Sequence, residues 1–500
     1  MRRGLRSMAL CALVLVPAAM PGGQRAEARS KAAPVAKAMP RLDIPFSKYK
    51  LDNGLTVILA EDHRLPLVAV DVWYHVGPIQ EAPGRTGFAH LFEHLMFQGS
   101  KHIADDQHFA LLEAAGASMI NGTTDFDRTN YFETVPRNQL ELALWLESDR
   151  MGFLLETMTQ DKLDNQREVV QNERRQSIEN VPYGLGEERM FQLLYPKGHP
   201  YYGYVIGSHA DLEATKLEDV VDFFKRYYAP SNASLVICGD FDARTVKATV
   251  AKYFGAIPAG PPVTPLVTPD VVITKEKRAA LTDNVQLPRL YMAWLSPKIY
   301  QPGDAEADLL AKILGNGKSS RLYKRLVYDK KIAQDVAAQQ YSLILGSVFN
   351  LQVTAKPGHT LAELEREVDA VLAELAAAPI PDDELARAKR IYEAGFLRAL
   401  EGIGGFGGKA DRLNQYEHYL GDPGWLGKDL ARYRDATPAG LQAIARDVLA
   451  KSKRVVVTVS PKPAAKPAVK PPVKPPVKPP VKPPVGAPVK PTPSKTGGAK

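Results

Sequence analysis

The chain reads as one pattern written twice. LTVILAE (55–61) and VAVDVWYHVG (68–77) alternate like strands, and an apolar helix follows at 88–98. Helical stretches run through 104–115 and 138–157, with the strand-like NYFETVP between them. A further long helix covers roughly 160–180, and SLVICGDFD ends the first half. LYMAWLSP (290–297) then restarts with a strand, followed by a helix through 303–315 and the stretch SSRLYKRLVYDK. A strand near 347–355, helices at 360–376 and 381–400, and RVVVTVSP (454–461) complete the second half. Strand–helix–strand order in two units of roughly 200 residues predicts an α+β fold of two repeats, each a sheet packed with helices. The repeats are expected at 45–257 and 270–460, joined by the Pro-rich linker 258–269 and preceded by an N-terminal extension, 29–44. GGFGGKAD (404–411) breaks a helical run, and a kink, a loop and a substrate contact are all open readings of it.

At 500 residues and 45% hydrophobic content the chain can fill two or more cores. Residues 1–28 read as a secretory signal: Arg2, Arg3 and Arg6 precede an apolar run from Met8 to Met20, and cleavage fits after Ala28. A retained anchor is the competing reading, although the run is shorter than the ~20 residues a membrane span needs. Export implies the periplasm or cell envelope of a bacterium. Beyond the signal only Cys238 remains, which excludes an internal disulfide and suits a buried thiol in a strand.

The net charge of +8 misleads. Residues 1–28 carry +3 and residues 461–500 carry +9, leaving −4 for the rest, so no nucleic-acid partner is expected. The tail 461–500 repeats Lys-Pro-Pro-Val four times between Lys470 and Val485, a polyproline II pattern lacking the donors of a packed core. It is read either as a cationic tether to an envelope polymer or membrane surface, or as a solvated spacer.

FAHLFEHLMFQ (88–98) carries two stripes. Phe88, Leu91, Phe92 and Leu95 make one apolar helix face, and His90, Glu93 and His94 share another side at the same spacing. Two histidines at i and i+4 aim their imidazoles at one point, a ready pair of zinc ligands. Zinc would lower the pKa of a water held at a fourth position to ~7, and Glu93 would take its proton as general base. The bland alternative is a pair of core-edge histidines beside a solvated glutamate. A third ligand must come from elsewhere, and the helix 163–180 offers Glu168, Glu173 and Glu179. Gln166, Val170, Glu173 and Ser177 share one stripe, whereas Glu168 lies with Asn172 and Arg175 on a polar side. Periodicity favours Glu173 over Glu168, modestly.

These residues, with LDNGLTVILAED, the NGTTDFDRTNYFETVP segment, HPYYGYVIGS and YYAPSNASLVICGDFD, resemble the inverzincin peptidases: pitrilysin, insulin-degrading enzyme and mitochondrial processing peptidase. The similarity spans most of 45–460. It implies two homologous repeats forming half of a clam-shell chamber, and one Zn2+ per chain held by His90, His94 and Glu173. It also implies Glu93 as general base in a metalloendopeptidase, and Asn121 on an edge strand that pairs with the substrate backbone. By itself Asn121-Gly122 reads as a turn pair.

Two departures from the family pattern stand out. Gln166 stands where many members have a second acid, which limits it to a supporting hydrogen bond behind the ligands. Val327 and Gln334 stand where an Arg and a Tyr from a C-terminal repeat usually face the zinc and stabilise the oxyanion. The resemblance therefore implies a heterodimer in which a zinc-less paralogue supplies the Arg/Tyr pair, closing on unfolded or short peptide substrates. A metal-binding subunit with little or no turnover is the alternative.

Overall fold

The computed structural model describes residues 42–463; the signal reading of 1–28 and nearly all of the Lys-Pro tail lie outside the described residues. In the first half the strands are β1 (Ser47–Lys50), β2 (Thr56–Glu61), β3 (Leu67–Tyr74), β4 (Ser118–Asp125), β5 (Arg128–Pro136) and β6 (Ala233–Gly239). Its helices are α1 (Phe88–Leu95), α2 (Gln107–Ala114), α3 (Leu140–Phe153), α4 (Gln160–Arg174), α5 (Gly184–Leu194), α6 (His209–Glu213), α7 (Leu217–Tyr227) and α8 (Ala243–Phe254). The second half has β7 (Lys277–Asp283), β8 (Arg289–Ser296), β9 (Ala333–Tyr341), β10 (Ser347–Ala355) and β11 (Arg454–Pro461). Between these strands lie α9 (Asp304–Gly315), α10 (Leu361–Ala377), α11 (Asp382–Ala399), α12 (Lys409–Leu420), α13 (Leu426–Asp435) and α14 (Pro438–Ala443).

The two sheets share one topology. The first runs β1-β2-β6-β3-β5-β4 and the second β7-β11-β8-β10-β9. Without the extra edge strand β1 the orders are identical, and in each sheet only the pair β2–β6 or β7–β11 is parallel. The molecule is thus a two-repeat α+β fold.

Alternation along the central strands divides the burial. Val68, Val70 and Val72 point to the side covered by α1 and α3, while Ala69, Asp71 and Trp73 point to the other side. That second side is covered by a helix of the opposite half. Helix α12 packs on β3 and β6, and Asn414 donates to Asp71 O at 2.8 Å and accepts from Ser234 Oγ at 2.7 Å. Reciprocally, α5 packs on β8 and β11, where Met190, Phe191 and Leu194 join Tyr291, Val455 and Val457 in a shared apolar cluster. Each sheet is therefore sandwiched between its own helices and one lent by its neighbour.

Residues 258–276 hold no helix or strand, which spans the Pro-rich 258–269. Helix α8 follows SLVICGDFD before that stretch begins, and the helical run expected to 180 is α-helical to Arg174 and continues as a π-helix over Arg175–Glu179. The segment 400–408 is a loop between α11 and α12. Cys238 is buried in β6. No helix among the described residues is long and apolar enough to cross a membrane.

Candidate active site

Helix α1 begins where two glycines meet. Gly87 has φ +86°, and a Cβ there would lie 2.4 Å from Ile206 O; a Cβ on Gly207, φ +76°, would lie 2.4 Å from Gly87 Cα. Only glycine fits such a crossing of backbones. The exposed amides of the first turn are capped by Glu81, whose carboxylate accepts from Gly87 N at 3.1 Å and Ala89 N at 2.8 Å. Burial pushes this carboxyl up to about 8. Phe88, Leu91, Phe92 and Leu95 are at most 3% exposed. Phe88 meets Phe223 at 5.0 Å and Phe92 stacks on Tyr228 at 4.9 Å between ring centres. Each such side chain contributes about 1.5–3 kcal/mol of burial, enough to fix the rotation of a helix of two turns.

That rotation sets the polar stripe. The His90 and His94 rings lie 4.9 Å apart, and their Nε2 atoms stand 3.7 and 3.2 Å from Glu173 Oε2. One donor atom from each of the three side chains lies within 4.8 Å of the other two. Burial, and then the neighbouring His94, hold His90 down at about 4, so its ring is neutral with a free lone pair. The hydrogen bond with His94 holds Glu173 below the usual carboxylate value despite partial burial. Two imidazole nitrogens and an ionised carboxylate form a donor set that suits zinc, with room for a fourth ligand.

Glu93 faces the edge strand. Its Oε2 accepts from Thr124 Oγ1 at 2.7 Å, and burial raises its carboxyl above the ordinary value. Gly122, two residues before Thr124 and on the same face of β4, makes the approach possible: a Cβ there would lie 3.0 Å from Glu93 Cγ. Asn121 is exposed on the same strand, its Oδ1 accepting from Gly122 N at 3.0 Å. Because β4 pairs only with β5, its outer backbone groups are free of the sheet.

Of the three acids considered for a third ligand, Glu168 is exposed and Glu179 pairs with Arg174 and His209, at 3.0 and 2.8 Å. Only Glu173 among them reaches the histidines. Its neighbour Arg174 pins the end of α4, donating to Gly207 O at 2.7 Å and Glu188 Oε2 at 2.8 Å. The same Gly207 backbone thus braces both helices, the one that carries His90 and His94 and the one that carries Glu173. Gln166 is buried two turns before Glu173 on α4. Val327 sits in the π-helix Tyr323–Asp329 and Gln334 is exposed on β9, in the second half.

Thr124, Glu81 and Arg174 shape this site without any motif to announce them. Thr124 had a findable signal: Gly122 and Thr124 alternate on one face of a strand, opposite the odd-numbered Asn121. A second cluster, His108, Glu133 and Glu147, also brings three donors within 4.8 Å. There Arg150 donates to Glu147 at 2.9 Å, and burial followed by the Glu147 charge raises Glu133 well above the carboxylate range, so a proton and a guanidinium already balance it.

The fold agrees with comparison to known proteins. Residues 56–194 match Insulinase (Peptidase family M16), and residues 215–392 match the Peptidase M16 inactive domain. Zinc protease PqqE of Helicobacter pylori is 30% identical over 356 residues, covering 70% of this chain and 79% of that protein. The crystal structure of a protease from Helicobacter pylori superposes with a TM-score of 0.78 at 27% identity, over 84% of this chain and 100% of that one. The periplasmic protease PqqL from Escherichia coli superposes at 0.66 with 18% identity, over 84% of this chain and 48% of the neighbour. This chain belongs to peptidase family M16.

Proposed function

We propose that the chain is an exported zinc metalloendopeptidase acting on unfolded or short peptides. The observation that carries this reading is the meeting of His90, His94 and Glu173 beside a Glu93 that leans on an open strand edge. His90, His94 and Glu173 would hold one zinc ion, which when bound polarises a peptide carbonyl and acidifies water. An extended peptide adds to β4 through main-chain hydrogen bonds, with Asn121 orienting it. Glu93 takes the proton of the attacking water as the carbon–oxygen bond forms, and delivers it to the amine nitrogen as the carbon–nitrogen bond breaks. Thr124 holds one carboxylate oxygen of Glu93, leaving the other to carry the proton. Gln166 supports α4 behind Glu173 as a neutral hydrogen-bonding group.

The departures at Val327 and Gln334 support a heterodimer in which a zinc-less paralogue lends an Arg and a Tyr. A rate on peptides that is unchanged by every paralogue supplied would remove that part of the proposal. The leader-like 1–28 supports export to the periplasm or envelope, and the Lys-Pro tail a contact with an anionic polymer or membrane surface. The second reading, a metal-binding subunit with little turnover, draws on the match of the second half to an inactive domain. A fluorogenic peptide library with and without a chelator separates the two readings. Chelator-sensitive cleavage that disappears in Glu93→Gln, with zinc retained, is the expected result.

A further inference from the structure

Opposite the face of β4 that meets Glu93, the loop between α11 and α12 lies flat on the first sheet. Gly404 permits this contact, since a Cβ there would sit 2.5 Å from Thr134 Oγ1 and 2.7 Å from Ala69 Cβ. The loop is stitched to the start of α12 by Lys409 N to Gly402 O and Ala410 N to Ile403 O, both 3.0 Å. Between it and the beginning of β4 opens a cleft of about 440 Å³, walled by Leu65, Leu67, Met119, Ile403 and Gly404. Leu65 and Met119 are 61% and 64% exposed; nearby Phe406, 68% exposed, packs edge-on against Phe132 at 5.1 Å. Met119 is turned outward by an irregularity in the β4–β5 pairing, at φ +57°, a conformation a non-glycine residue adopts only under constraint. On the rim, Asp62 accepts from Arg64 Nε at 2.7 Å and pairs with Lys409, while Glu401 is exposed at the cleft wall.

We infer that this cleft is a subsite for a large apolar side chain of the bound peptide, several residues from the cleaved bond. The inference rests on the peptidase reading above, in which the substrate adds to β4. Side chains of an added strand alternate between the two sheet faces. Those on the α1 side meet Glu93. Those on the other side pass Asn121, which pairs with Phe132, and then reach Ser118, which pairs with Thr134. At about 3.3 Å per residue, the cleft lies roughly three to four residues from Gly122. A phenylalanine or leucine there is sheltered by Leu65, Met119 and Phe406, whereas an acidic residue meets the carboxylate of Glu401 and finds no unpaired cation in Arg64. The substrates are therefore extended peptides with an apolar anchor set apart from the scissile bond.

The test uses the full-length zinc-loaded Glu93→Gln protein and fluorescein-labelled serine/alanine-rich peptides carrying either Phe or Ser at each position in turn. Fluorescence anisotropy is expected to show about tenfold tighter binding for Phe at one position. That advantage should fall to within about twofold when Phe406→Ser and Leu65→Ser are combined, or when Gly402→Asp places a charge on the cleft wall. Binding indifferent to Phe at every position overturns the inference, and so does a Phe advantage that survives both variants. Cleavage by the unmodified enzyme is scored separately. Its absence would count against the peptidase reading, while the binding ratios still decide this one.

Discussion

The two halves of the molecule have one strand order and opposite chemistry. Helices α1 and α9 occupy the same place in their repeats, in the chain between β3 and β4 and between β8 and β9, and each is entered through a left-handed glycine, Gly87 or Gly303. On α1 the side turned from the core carries His90, Glu93 and His94. On α9 the residues Ala307, Leu309, Leu310, Ala311, Ile313 and Leu314 are all at most 2% exposed, and Lys312 and Asp308 pair with each other. The fold supplies a cradle twice, and only the first carries two histidines and a glutamate on the side turned from the core. Architecture here licenses the site without specifying it.

The sharpest way to break the comparison is to strip the first half of its difference. His90→Ala with His94→Ala should abolish zinc retention, read by metal analysis, and reduce kcat/KM by at least about a thousandfold. Glu93→Gln should retain zinc and lose about 10²- to 10⁴-fold in kcat, the range for removing a general base. A double-histidine variant that kept both metal and activity would mean the cradle of α1 is no more chemical than that of α9.

A smaller effect tests whether the shared cradle is equally tight in both halves. At Gly87 a Cβ would press on backbone, Ile206 O at 2.4 Å; at Gly303 it would meet the side chains of Pro297 and Ile444 at 2.9 and 3.1 Å. Side chains can shift where a crossing backbone cannot. Gly87→Ala should therefore cost about 2–4 kcal/mol and Gly303→Ala about 1–2 kcal/mol, measured as shifts in denaturant midpoint. Equal costs would show that the α1 crossing is not the more constrained of the two.

What the sequence discloses follows the same division between buried and exposed. The central strands β2, β3, β5, β6, β8, β10 and β11 all lie within stretches whose apolar alternation marks them as strands. The edge strands β1, β4, β7 and β9 do not announce themselves: SMINGTTD, KRAALTD and AQDVAAQQY hold too few apolar residues for a period of two to stand out. An edge strand is solvated on one side and must resist pairing with other chains, so its pattern is weak by physical necessity. The helix α7 is different, for Val220 and Phe224 at i and i+4 make it readable in principle. At the candidate site, the spacing of His90, Glu93 and His94 is visible because one helix carries all three. The convergence of Glu173 is only hinted at by its stripe, because the ligand distance depends on Arg174, Gly207 and Glu81 holding two helices together. The loan of α5 and α12 between halves depends on tertiary packing and leaves no local pattern.

The smallest expected effect concerns the strand edge itself. Thr124 donates to Glu93 across the gap that Gly122 keeps open, so in the proposed reaction it would position Glu93 without touching the reacting atoms. Thr124→Val preserves the shape and removes the donor. One hydrogen bond to a charged group is worth about 1.5–3 kcal/mol, which corresponds to a loss of roughly 10- to 150-fold in kcat. KM should hold within about twofold, since Thr124 points towards α1 and leaves the outer edge of β4 intact. Thr124→Ser restores the donor and should recover most of the rate, which a purely structural role for the methyl group would not allow. The corresponding strand of the second half, β9, offers the control: a Gln339→Ala change there, on an edge with no base behind it, should leave kcat unaltered. If both substitutions slowed the enzyme alike, the effect would belong to the edge strands in general, and the division of labour between the halves would have to be redrawn.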